Sequence, residues 1–118
     1  MALDAAIGDL RGAISSDNTT AGWRWSVRQQ LSAVREALRD EAFWSRDGWL
    51  AARCASGDRE RAQLLRRITL AGTGLLDRLD VDRVSAELSR LADDVDHYGR
   101  RMHTLVYDAV ALELGGSE

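Results

Sequence analysis

The sequence predicts an all-α protein: a four-helix up-down-up-down antiparallel bundle with a short first helix and a long last one. Three observations carry this expectation. The 118 residues contain no proline, the residue that most strongly interrupts a helix. Alanine, leucine, arginine and glutamate are abundant and favour helix, while β-branched residues are scattered and nowhere alternate as a strand requires. From Val81 to Leu112, every third or fourth residue is apolar or aromatic: Val81, Val84, Leu88, Leu91, Val95, Tyr98, Met102, Leu105, Ala109 and Leu112. A spacing of about 3.5 residues sets all of them on one seam of one long helix.

The first helix, over about residues 3–15, rests on Leu3, Ile7, Leu10 and Ile14. The polar cluster from Ser15 to Thr20 closes it and offers caps for the next helix. Trp23, Val27, Leu31, Val34, Leu38 and Ala42 form the stripe of a second helix, expected over 20–55 with a break near Asp47-Gly48. Beyond that break Trp49, Leu50, Ala52 and Cys54 read as a bent continuation or a separate turn. Ser56-Gly57-Asp58 reads as a boundary before a third helix at 58–79, whose stripe is Ala62, Leu65, Ile68, Leu75 and Leu79. Within it Gly72-Thr73-Gly74 implies either a bend or a close neighbour, because interior glycines cost about 1 kcal/mol each against alanine. Asp80 or Asp82 caps the fourth helix, expected at 81–114, and Gly115-Gly116 ends it. No repeat or linker divides the chain, so residues 1–118 read as one domain.

Composition excludes several classes. A net charge of −3 and a pI near 5.4 argue against a nucleic-acid binder. All sixteen basic residues are arginine, a pattern that suits bidentate recognition of phosphate or carboxylate but reads more plainly as codon bias in a GC-rich genome. Arg59, Arg61, Arg66 and Arg67, with Arg100 and Arg101, stand against Glu60 and the Asp93-Asp94-Asp96 cluster, so ion pairing between helices is expected of them. Cys54 is alone, which rules out an internal disulfide and a multi-thiolate metal site. The N-terminus lacks a signal-peptide pattern and no apolar run approaches membrane-spanning length, making a cytoplasmic location with no membrane contact the default.

His103 and Asp108 stand five residues apart on the last helix. There the chain resembles the hemerythrin-like family, whose last helix supplies a histidine and a bridging aspartate at this spacing. The resemblance implies a four-helix bundle able to hold two iron ions and bind oxygen, with His103 and Asp108 as its metal-ligand candidates. That family draws further histidines and a glutamate from its earlier helices, whereas residues 1–96 here hold no histidine. The nitrogen-rich shell such iron needs is therefore incomplete, and no metal or cofactor is assigned. The ending Leu105-Val106-Tyr107-Asp108-Ala109-Val110 with Gly-Gly is also similar to the tails of small actinobacterial proteins, which implies no activity. His97, after three aspartates, reads as part of a solvated acidic face rather than as a catalytic base, and no nucleophile motif accompanies it.

The remaining signal is apolar. Trp23, Trp25, Trp44 and Trp49 fall in one short stretch; Trp23 and Trp25 lie about 200° apart on a helix, so one of them faces away from the core. Exposed aromatics dominate protein interfaces. The sequence thus favours a non-enzymatic helical interaction module that forms a homodimer, with Trp25, Trp44, Trp49, Tyr98, Met102 and Leu105 as its contact candidates and a further protein as a possible partner. The alternative is a bundle binding a small ligand or a vestigial metal between its helices.

Overall fold

The computed structural model describes residues 2–40 and 48–115, with the backbone alone at 48–56, 106 and 108–115. Helix α1 spans Ala2–Ser15, α2 Trp23–Asp40, α3 Gly48–Gly74 and α4 Val81–Gly115; a 3-10 turn at Leu75–Asp77 follows α3. No strand occurs among the described residues, and none of their helices is long and apolar enough to cross a membrane. The body is a rod of 59 × 21 × 19 Å. α1 packs on α2 and α4, and α3 packs on the same two helices.

The core follows the expected stripes on α1, α2 and α4, whereas on α3 it takes Leu64 while Ala62, expected on the stripe, is exposed. Leu3, Ile7, Leu10 and Ile14 of α1 meet Trp23, Val27, Leu31, Val34 and Leu38 of α2. Leu64 and Ile68 of α3 and Val84, Leu88, Leu91, Val95 and Tyr98 of α4 complete it. Trp23 is 2% exposed, and its indole N–H donates to the Ile14 carbonyl at 3.3 Å. That bond satisfies both a buried polar tip and one of the free carbonyls at the end of α1.

The α1–α2 connection is an Asx-type turn. The Thr19 amide and hydroxyl both donate to Asp17 Oδ1, at 3.0 and 2.6 Å. These two bonds favour the charged carboxylate, so Asp17 titrates below the ordinary aspartate range.

Three boundaries differ from the sequence expectation. The second helix does not begin at 20: α2 is described over Trp23–Asp40, and residues 41–47, with the expected break near Asp47-Gly48, lie outside the described residues on its C-terminal side. Trp49, Leu50, Ala52 and Cys54 belong instead to α3, which begins at Gly48 and passes through Ser56-Gly57-Asp58 without a break. The reason lies at Gly57. A Cβ built there would stand 2.7 Å from Met102 Sδ and 3.0 Å from its Cε. This glycine lets two helices approach closely, and it does so inside a helix rather than at its end.

The third boundary concerns Gly72-Thr73-Gly74. A Cβ at Gly72 or Gly74 would meet nothing within 4 Å, so no neighbour accounts for these glycines. They mark the end of α3, where the backbone tightens into the 3-10 turn. Leu79, expected on the core stripe of this helix, lies beyond the turn and is 90% exposed.

Candidate interaction surface

Two apolar regions lie at opposite ends of the rod. At one end the α3–α4 connection meets the start of α2. Here Arg24 donates to the Arg78 carbonyl at 2.9 Å, tying the two elements together. Arg78 grips Asp80 through Nε and a terminal nitrogen at 3.0 and 2.9 Å, and reaches Glu87 at 3.0 Å with its other terminal nitrogen. The hydrogen bonds from Arg78 hold the Asp80 carboxyl below the ordinary aspartate range, and the same two carboxylates raise the Arg78 guanidinium. The Asp80 carbonyl accepts from the Val84 amide at 2.9 Å and so opens α4.

Around this ionic clasp, large apolar side chains face solvent: Leu70, Leu76, Leu79 and Trp25. Trp25 is 65% exposed because Trp23, about 200° away on the same helix, takes the core. A groove of about 260 Å³ opens beside the clasp between α3 and α4. Its floor is Leu75, Leu88 and Leu91, and its rims carry Arg67, Arg78 and Glu87. An apolar floor with a charged rim is the form in which proteins receive another molecule's apolar side chain.

At the opposite end α4 runs past α1. Leu3, near the start of α1, touches Gly99, where a Cβ would lie 3.1 Å from Leu3 Cδ2. Tyr98 is 2% exposed. The expectation that the seam loses its cover around Tyr98 is therefore corrected, because Leu3 of α1 and Gly57 of α3 both lie against α4 at this level. Met102 and Leu105 are half-buried, and Met102 packs against Gly57 of α3. Tyr107 is exposed.

His103 is exposed and borders a groove with Asp4, Gly99, Arg100 and Thr104. Among the described residues no group of three or more histidine, cysteine, aspartate and glutamate side chains is gathered closely enough to hold a metal ion. The side chains of Asp108 and Trp49 lie outside the described residues, as does Trp44 altogether.

The arginine run pairs across helices. Arg67 meets Asp94 at 2.8 Å and Arg101 meets Glu60, both between α3 and α4. Arg11 of α1 meets Asp93 at 2.8 Å and Asp96 at 3.5 Å on α4. Within helices Arg61 pairs with Asp58 and Arg100 with Asp96. His97 borders the same ionic strip beside Asp94 and Arg101. Except at the more shielded Arg61 and Asp96, these pairs are solvent-facing and each contributes about 0–1 kcal/mol, which makes them guides to register more than sources of stability. Sequence reading missed the leucine cluster at the α3–α4 connection. Its signal was Leu76 beside Leu75 and Leu79 beside Asp80, apolar residues that a single stripe cannot all accommodate.

Comparison of the chain with protein-family models, with curated proteins and with solved structures finds no match.

Proposed function

We propose that the chain is a non-enzymatic helical interaction module that self-associates as a homodimer through the end of the rod where α3 and α4 run past α1. The carrying observation is the mismatch in helix length. α4 has 35 residues, against 14 in α1 and 18 in α2. At 1.5 Å per residue these are about 52, 21 and 27 Å. With Leu3 level with Gly99, the rest of α4 to Gly115 projects about 24 Å beyond α1.

Contacts along the rod support the up-down-up-down sense. Residue numbers on α4 fall as those on α3 rise: Met102 faces Gly57, Arg101 pairs with Glu60, and Arg67 pairs with Asp94. Leu3 at Gly99 and Arg11 at Asp93 give α1 the same antiparallel sense against α4. Continued in this register, the start of α3 accompanies the last turns of α4, so the projecting part is a helix pair. The sequence of that pair stays apolar, with Met102, Leu105, Ala109 and Leu112 on α4 and Trp49, Leu50, Ala52 and Cys54 on α3. Two helices cannot enclose both apolar stripes by themselves. A second copy related by a two-fold axis adds its own pair and completes a second four-helix layer, because one patch serves both subunits. The protein works in the cytoplasm on this reading, and the leucine and tryptophan end remains free for another protein.

Light scattering on the full chain tests the proposal. A dimer mass that dissociates on dilution, and that Leu105→Glu abolishes while helicity by circular dichroism is kept, is the expected result. A mass of 13.1 kDa unchanged on concentration overturns it. Elemental analysis of the same sample serves as the second arm: stoichiometric iron would favour a metal-binding bundle in place of an interaction module.

A further inference from the structure

We propose that the groove between α2 and α3 lined by Arg28, Ser32 and Arg35 is a binding site for a compact, multiply charged oxyanion, of the kind a phosphorylated small molecule presents. The inference does not depend on dimer formation, since the groove lies along the α1–α4 body and away from the projecting helix pair.

The groove holds about 180 Å³ and is bounded on the α3 side by Ile68, Thr69, Gly72 and Thr73. No carboxylate lines it. Arg28 and Arg35 stand two helical turns apart with Ser32 between them, so all three side chains project from one face of α2. Among the described residues neither arginine has a carboxylate or carbonyl partner. Arg67, Arg78, Arg101 and Arg11 each have one.

Arg35 is the more telling of the two. It is half-buried, and its Nε has lost contact with water without gaining an acceptor. That orphaned N–H carries a desolvation cost that no partner in the fold offsets, and the Arg35 side chain lines the open groove, where the fork of its guanidinium suits an oxyanion. Other unpaired arginines, such as Arg66 and Arg90, are exposed, as Arg28 is, and have no buried unpartnered atom of this kind.

The donor inventory is specific. Thr69 and Thr73 already give their hydroxyl protons to the Leu65 and Thr69 carbonyls, at 3.0 and 2.8 Å. They bound the groove without donating into it. The donors left for a ligand are two guanidinium forks and the Ser32 hydroxyl. Planar forks set apart in this way suit an anion with several oxygens better than a single carboxylate. Gly72 keeps the opposite wall open, because a Cβ there would meet no atom within 4 Å.

Calorimetric titration of the full chain with inorganic pyrophosphate at low ionic strength tests the assignment. The expected result is saturable binding at one site per chain, weakened at least tenfold in R28Q/R35Q and unchanged within twofold in R66Q/R90Q, which removes the same charge elsewhere. Gly72→Glu is the second variant, chosen because its backbone position leaves room for a side chain. It places a carboxylate across from the two arginines and should also weaken pyrophosphate at least tenfold while raising or preserving the melting temperature. No saturable heat with the wild-type chain overturns the proposal. So does equal weakening by R28Q/R35Q and R66Q/R90Q, which would reduce the effect to overall charge, and so does a folded Gly72→Glu chain that binds as the wild type does.

Discussion

The two halves of α4 carry the same pattern and meet different surroundings. From Val84 to Tyr98 every seam residue is buried, enclosed by α1, α2 and α3. Past Gly99 the period continues without a fault, yet Met102 and Leu105 are only half-buried and Tyr107 is open to solvent. Hydrophobic spacing decides which face of a helix seeks cover. Whether cover is present depends on the lengths of the neighbouring helices, which α4 itself does not encode.

Truncations on the two halves put the comparison under the greatest strain. Trp23→Ala, on α2, removes the largest side chain of the core that encloses the first half of α4 and orphans the Ile14 carbonyl it bonds. It should cost about 3–5 kcal/mol in a urea melt. Leu91→Ala, at a residue 4% exposed, should cost about 2–5 kcal/mol, the range for a buried leucine that leaves a cavity. Leu105→Ala should cost about 1 kcal/mol at low protein concentration, where a half-buried side chain has less packing to lose. Its cost should then grow with concentration if the projecting end is the dimer contact, because association stabilises the folded chain by mass action. Equal costs for Leu91→Ala and Leu105→Ala in dilute samples would erase the distinction between the halves.

Legibility in the sequence followed the same division. The stripes of α1, of α2 as far as Leu38 and of α4 as far as Tyr98 were readable because each pairs regular spacing with a definite partner face, and the split between Trp23 and Trp25 followed from the helical angle alone. The course of α3 was harder to read. Ser56-Gly57-Asp58 looks like a terminus to any local rule, and only Met102, forty-five residues away, gives Gly57 its reason for lying inside a helix. The same blindness to distant cover made Tyr98 look unprotected. The Arg28–Arg35 groove was invisible for a related reason. A missing partner is a property of three-dimensional neighbours, and all sixteen arginines look alike in one dimension.

Glycine substitutions sharpen the contrast at a smaller scale. Gly72→Ala should stabilise by about 0.5–1 kcal/mol, since alanine is the better helix former and its Cβ enters open space. Gly57→Ala offers the same gain in propensity but drives a Cβ to 2.7 Å from Met102 Sδ. The contact is with the flexible end of a methionine, which can rotate away, so the two effects should nearly cancel. Paired urea melts read the difference. A Gly57→Ala chain stabilised as much as Gly72→Ala would mean that α3 and α4 are not in close contact at this level.

The smallest expected effect concerns the ionic clasp that closes the opposite end of the rod. Asp80 accepts two hydrogen bonds from Arg78, and the folded chain lowers its pKa below the ordinary aspartate value of 3.8. A carboxyl whose pKa is depressed by folding binds protons less readily in the native state than in the unfolded one. Its contribution is therefore fully present above the unfolded value and is lost as pH falls through the lower, folded value. Asp80→Asn removes the charge while keeping the side-chain shape. At pH 7 the variant should unfold at a slightly lower urea concentration than the wild type, because the pair is solvent-facing and screened. Below pH 3.8 the two midpoints should converge as the wild-type carboxyl takes up its proton. High salt at pH 7 should narrow the gap as well. A gap that persists unchanged at pH 2 would mean that Asp80 supports the start of α4 through its neutral hydrogen-bonding shape and not through its charge, which leaves the clasp a capping turn and Arg78 held by Glu87 alone.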